Sequence, residues 1–112
     1  MKKLMLLGII LMSFSSLINA QKVFVVKKAN EAQLKIFVVK YESEADLKVF
    51  KTKTAGQAGL NNGRWFFTKK ANEATKKIFI TKNASEADLK VFYVKKPEQA
   101  RWVMESKKTK LD

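Results

Sequence analysis

The chain is 112 residues long and carries 23 Lys plus Arg against 10 Asp plus Glu, for a formal net charge of +13. It contains no Cys and no His, which excludes disulfides and removes the thiol nucleophile, the commonest acid-base catalyst and most transition-metal ligands. Its length suffices for one small domain, and a domain of that size without cross-links must pack nearly every apolar residue to be stable.

Lys2 and Lys3 open the chain, followed by an apolar run from Leu4 to Met12 and a smaller, more polar exit ending Ile18-Asn19-Ala20. The pattern predicts a signal peptide over residues 1–20, cleaved between Ala20 and Gln21, and hence a periplasmic or secreted product. A membrane anchor is the alternative, disfavoured because the apolar run is far shorter than the ~20 residues a spanning helix needs. Cleavage leaves 112 minus 20, or 92 residues, and the loss of Lys2 and Lys3 lowers the net charge from +13 to +11.

From Lys22 the chain repeats itself every thirteen residues. Six copies span 22–34, 35–47, 48–60, 64–76, 77–89 and 90–102, with Asn61-Asn62-Gly63 inserted between the third and the fourth. Position three is always Phe: Phe24, Phe37, Phe50, Phe66, Phe79 and Phe92. Position six is always Lys: Lys27, Lys40, Lys53, Lys69, Lys82 and Lys95. Position eleven is always Ala, from Ala32 to Ala100. The domain is therefore set at 21–102, followed by a polar, basic tail over 103–112 that is expected to fray.

Each copy opens with β-branched and aromatic residues, such as Val23-Phe24-Val25-Val26 and Ile78-Phe79-Ile80-Thr81, which predict a strand of about five residues. Alternation puts the Phe on one face and positions two and four on the other. Both faces are apolar, so burial on both sides is expected, with the Phe series in the core. In Ser43-Glu44-Ala45-Asp46 and Ser85-Glu86-Ala87-Asp88 a Ser stands three residues before a carboxylate, which predicts a capped helix of about one turn. Pro97 suits the first turn of such a helix in the last copy. The repeated Ala gives room for the turn to approach its strand closely, and Leu34, Leu47, Leu60, Leu89 and Trp102 at position thirteen are expected to close the core. Lys76 breaks that series, and Asn61-Asn62-Gly63 reads as a tight reversal. The fold class expected is α+β, β-rich: a single compact domain of six strand-plus-one-turn-helix repeats.

With Phe, Lys, Ala and the Ser-Glu-Ala-Asp segment recurring together at fixed spacing, the chain resembles a family of small bacterial repeat proteins, a domain of unknown function built from tandem K-V-F-V-V-K-x-x-S-E-A-D-L units. The resemblance covers all six copies. It implies a seven-crossing, septafoil torus knot, in which the units wind in two circuits and the second circuit threads the first. Thr54-Ala55-Gly56-Gln57-Ala58-Gly59 and Pro97-Glu98-Gln99-Ala100-Arg101 depart from the family pattern.

No cofactor and no metal site is expected. Carboxylate pairs such as Glu44 with Asp46 could serve a hydrolase, but their place in the repeat favours capping and neutralisation of nearby Lys, so no catalytic site is assigned. Asn83-Ala84-Ser85 matches a glycosylation sequon, but the motif is short and Ser85 is better explained as a helix cap. Charge has the most functional reach. Twelve of the 21 basic residues that remain after cleavage occupy positions one and six, so equivalent copies set side by side would form basic stripes. Two readings follow. One is an exported small structural or interaction protein, monomeric and without an enzymatic role. The other is a low-specificity binding module for anionic polysaccharide, lipopolysaccharide, another polyanion or a membrane surface, acting through Lys27, Lys40, Lys53, Lys69, Lys82 and Lys95.

Overall fold

The structure, a computed structural model, describes residues 20–111; the expected signal peptide falls almost wholly outside the described residues. Six strands carry the six copies: β1 (Lys22–Val25), β2 (Leu34–Val38), β3 (Leu47–Lys51), β4 (Arg64–Phe67), β5 (Lys76–Ile80) and β6 (Leu89–Tyr93). A two-residue β7 (Arg101–Trp102) follows. The strands lie in the order β4-β1-β5-β2-β6-β3, and β3 also pairs with β4. All pairings among these six are parallel, and the pairing of β3 with β4 closes them into a barrel. Strands of the first three copies alternate with strands of the last three. Along the seam between β3 and β4 only the upper half is paired, Phe50 with Arg64 and Lys51 with Trp65. Beside the lower half of β3 lies β7, antiparallel, with Leu47 opposite Trp102.

The helical half of each copy is shorter than a one-turn α-helix. It is a 3-10 turn of three residues in every copy, from Ala29–Glu31 to Pro97–Gln99, with Pro97 at the first position as expected. The flanking residues are extended, and the N–H of the repeated Ala bonds to the carbonyl three residues back, which ends the turn. Too few residues separate consecutive strands for anything longer.

The expected serine caps are absent. Ser43 and Ser85 lie inside the turns, exposed, and the residues preceding the turns, Tyr41 and Asn83, make no side-chain cap. The carboxylates they were paired with do other work. Asp46 Oδ2 accepts the backbone N–H of Lys90 at 2.9 Å, and Asp88 Oδ2 accepts that of Lys35 at 2.8 Å. Gln33 and Thr75, at the same position twelve, accept the N–H groups of Lys77 and Lys22. In four copies position twelve thus pins the turn to the start of a strand from the other block, whereas the third and sixth copies carry Gly59 and Arg101 there.

The core also differs from expectation. The barrel interior is lined by position two: Val23, Ile36, Val49, Trp65, Ile78 and Val91 are all completely buried. The six Phe rings, expected in the core, lie on the opposite, outer face and are only half-buried. Register explains what shields them. Every Phe stands beside the position-one cation of a neighbouring strand: Phe24 by Lys77, Phe37 by Lys90, Phe50 by Arg64, Phe66 by Lys22, Phe79 by Lys35 and Phe92 by Lys48. Aliphatic stems beside aromatic rings keep water off both.

At position thirteen Leu34, Leu47, Leu89 and Trp102 are buried as expected, but Leu60 is 56% exposed. The third copy runs into the inserted reversal there, so Leu60 falls four residues before β4 instead of at a strand's first position. The reversal itself is as read: Asn61 has φ 59° and Gly63 φ 92°. A Cβ on Gly63 would lie 2.4 Å from the Lys48 carbonyl oxygen, so no side chain fits. Asn61 is buried, and its carbonyl accepts the Trp102 indole N–H at 2.9 Å. The tail is not frayed. Glu105–Leu111 forms a 3-10 helix whose Leu111 is buried in the core cluster, while Lys107 Nζ reaches Asp46 Oδ2 at 3.0 Å.

Candidate anion-binding surface

Position six follows each strand by two residues, as Lys27 follows Val25 and Lys95 follows Tyr93. Because the six strands are parallel and closed into a barrel, Lys27, Lys40, Lys53, Lys69, Lys82 and Lys95 all stand around one end, the end where the strands' C-termini lie. All six are exposed. None of them forms an ion pair among the described residues. Position one behaves differently. These cations lie on the barrel wall beside the Phe rings, mostly half-buried, with Lys48 paired to Glu42. The twelve repeated cations therefore separate into a wall belt and an end ring, a distinction that charge counting had merged.

Within the ring sits a mouth formed by position four of each strand: Val25, Val38, Lys51, Phe67, Ile80 and Tyr93. Val25 and Ile80 are each 38% exposed, so the barrel is not fully roofed. Lys51 is the one cation in this apolar set. Its Nζ lies 4.1 Å from the Tyr93 ring centre and 5.2 Å from that of Phe67, a cation–π arrangement that keeps charge at the mouth. Burial raises the Tyr93 phenol above the usual 10.0. Sequence reading missed Lys51 because position four is apolar in the other copies; that contrast was the available signal.

Position ten tempers the ring. Glu31, Glu44, Glu73 and Glu86 occupy it in four copies, and Gln57 and Gln99 in the third and sixth. The side chains fold back toward their own strand ends: Gln57 Oε1 accepts the Lys53 N–H, Gln99 Oε1 that of Lys96, and Glu86 Oε1 a bond from the Thr81 hydroxyl. On the outer wall these turns and the Phe rings enclose shallow grooves, one each over Phe24, Phe37, Phe50 and Phe92. Glu44 and Asp46, the pair with hydrolase potential, are separated by their roles: Glu44 is exposed, whereas Asp46 is buried against Lys90 and Lys107. Among the described residues no group of three or more His, Cys, Asp or Glu could hold a metal ion.

Comparison with curated proteins and with solved structures finds no significant match. The model of one protein family, described as the 7(1) septoil knot domain, matches residues 20–103, the span that holds all six copies and β7. The match takes in the barrel and its turns together, and the chain belongs to the septoil knot domain family.

Proposed function

We propose that this chain is an exported, non-enzymatic, knotted scaffold whose lysine-ringed end binds anionic polymers by charge. The observation that carries the reading is the collection of six exposed, unpaired lysines on one end of a closed barrel. A rigid ring of cations releases counterions from a polyanion on contact, giving affinity that falls steeply with salt and discriminates little between polymers. Export rests on the leader-like residues 1–20.

The knot is supported by how the connections lie. In the first block, turn Ala29–Glu31 lies against β5 and Glu42–Glu44 against β6. In the second block, Ala84 lines a groove with Phe37 of β2, and Pro97–Gln99 lies against β3. Each block thus lies against strands of the other, the arrangement that two interlaced circuits require. Two circuits threaded in this manner give the barrel a fixed shape without a disulfide.

The test is retention on heparin against a plain cation exchanger at matched salt. Preferential, salt-sensitive retention is expected, and replacing Lys69, Lys82 and Lys95 by Gln should lower the slope of log affinity against log salt by roughly two to three. Undetectable binding at low salt, or retention unmoved by the triple substitution, would leave a structural scaffold alone. Co-sedimentation with anionic vesicles but not with heparin would favour a membrane surface, for which the partly exposed Val25 and Ile80 speak.

A further inference from the structure

A repeat protein contains its own controls, because equivalent positions in other copies show what the fold alone requires. Of the grooves over Phe24, Phe37, Phe50 and Phe92, three include a carboxylate: Glu31 in the Phe24 groove, Glu44 in the Phe37 groove and Glu42 in the Phe92 groove. The groove over Phe50 includes none. It is also the largest of these four, about 500 Å³ against 310, 220 and 270 Å³.

Four departures from the repeat converge on it. Position ten, most often Glu, is Gln57; position nine is Gly56; position one of the neighbouring strand, Lys in the other five copies, is Arg64; and position eight of the last copy is Pro97. These residues are up to 97 minus 56, or 41, positions apart in the chain, so a single local accident does not account for them. The barrel seam explains the Asn61-Asn62-Gly63 insertion but requires none of the four. A Cβ on Gly56 would meet nothing within 4 Å, so packing does not demand glycine there.

What remains is a set of donors. Arg64 Nε donates to the Pro97 carbonyl at 3.2 Å, which holds the guanidinium in place and leaves its two Nη groups for another acceptor. Gln57 accepts the Lys53 N–H through Oε1, which turns its amide NH2 outward as a second donor. Lys53 supplies a second cation, and Phe50 an aromatic floor. An apolar floor with a cationic, hydrogen-bonding rim fits a sugar ring, which has a C–H face and a polar edge. The absence of any carboxylate admits an anionic substituent.

We propose that the Phe50 groove binds a sugar ring bearing an oxyanion, sulfate or carboxylate, with the ring against Phe50 and the oxyanion between Arg64 and Lys53. The inference deepens the polyanion reading by giving the non-specific ring one specific subsite. Its volume lies within the range of small-molecule sites.

The experiment uses residues 21–112 and follows backbone amide shifts during titration with a sulfated heparin disaccharide, a uronate disaccharide, a neutral disaccharide and inorganic sulfate. The charged disaccharides are expected to shift Lys53, Gly56 and Arg64, and the neutral one not. Arg64→Lys and Gln57→Glu each restore the repeat's own residue and should fold; each should weaken disaccharide binding about tenfold or more, through loss of a bidentate donor and through added negative charge. Gly56→Ser, the residue of the second and fifth copies, should weaken it less. Shifts spread over the lysine ring with none at the groove overturn the proposal while leaving the polyanion reading intact. Wild-type affinity in Arg64→Lys and Gln57→Glu overturns it too, as does inorganic sulfate binding as tightly as the disaccharide. Disaccharide shifts at the groove without heparin retention would support the site and sink the polyanion reading instead.

Discussion

At the scale of single residues, packing depends on which face of a strand turns inward. Ile36 is completely buried inside the barrel, while the adjacent Phe37 is half-buried on the wall beside Lys90. Ile36→Ala should therefore cost about 2–5 kcal/mol, a large share of a small domain's stability. Phe37→Ala should cost less, about 1–2 kcal/mol, despite removing more atoms. Chemical denaturation of the two variants checks the order, and a larger loss for Phe37→Ala would reverse the assignment of faces. Tyr93 offers a second measurement. Its phenol is raised by burial, so the folded state holds the proton more tightly than the unfolded chain. That contribution is complete below the unfolded value near 10 and disappears as pH rises through the folded value. In Tyr41→Phe, which leaves Tyr93 as the single tyrosine, tyrosinate absorbance should appear above the usual range, and stability should fall as it does. Absorbance rising at or below pH 10 would contradict the burial.

At the scale of the element, the second half of the repeat acts as a clasp more than as a helix. Asp46 is 5% exposed and accepts the Lys90 N–H, while its own N–H bonds to the Lys90 carbonyl. The same carboxylate receives Lys107 from the tail, and the Asp46 carbonyl accepts the N–H groups of Val103 and Met104. Asp46→Ala leaves a buried N–H and an ammonium without their acceptor, for a cost of about 2–3 kcal/mol. Ser43→Ala, which removes the residue that a capping reading makes important, should change stability by less than about 0.5 kcal/mol. Thermal melts of the pair separate the two accounts: comparable losses would restore the cap. Much of this element was legible in the sequence. The place of the turn and the repeated Ala followed from thirteen-residue spacing, but position twelve bonds a strand 44 or 53 residues away, which local pattern cannot reveal.

At the scale of the whole molecule, the strand order sets the kinetics. Every pairing in the barrel joins copies from different blocks, as Val23 with Lys76 and Leu47 with Val91 show, and of these pairs only β3 with β4 joins copies adjacent in the chain. Such contacts demand large loop closures before they stabilise anything, and folding slows accordingly. If the chain is also threaded as proposed, refolding from denaturant should take seconds or longer and unfolding should be slow as well. Stopped-flow fluorescence of Trp65 and Trp102 would show this, since both are buried. A single fast phase in milliseconds would argue against threading.

The sequence by itself determined the six copies, the strand in each, the short turn, the reversal at Asn61-Asn62-Gly63 and the position-six lysines, because all of these are local or periodic properties. It could not decide which apolar face lies inside. Positions two and three are both apolar, and the choice belongs to barrel closure: branched residues and Trp65 fill the narrow interior, while the Phe rings go to the wall under lysine stems. Leu60 and Leu111 make the same point in opposite directions. Leu60 obeys the repeat and is exposed because the insertion displaces it, whereas Leu111 lies outside the repeat and is buried because the tail folds back against Asp46 and Gln21. The Phe50 groove, too, exists only in three dimensions. Gln57, Arg64 and Pro97 are scattered departures from a pattern until the seam between β3 and β4 brings them to one place.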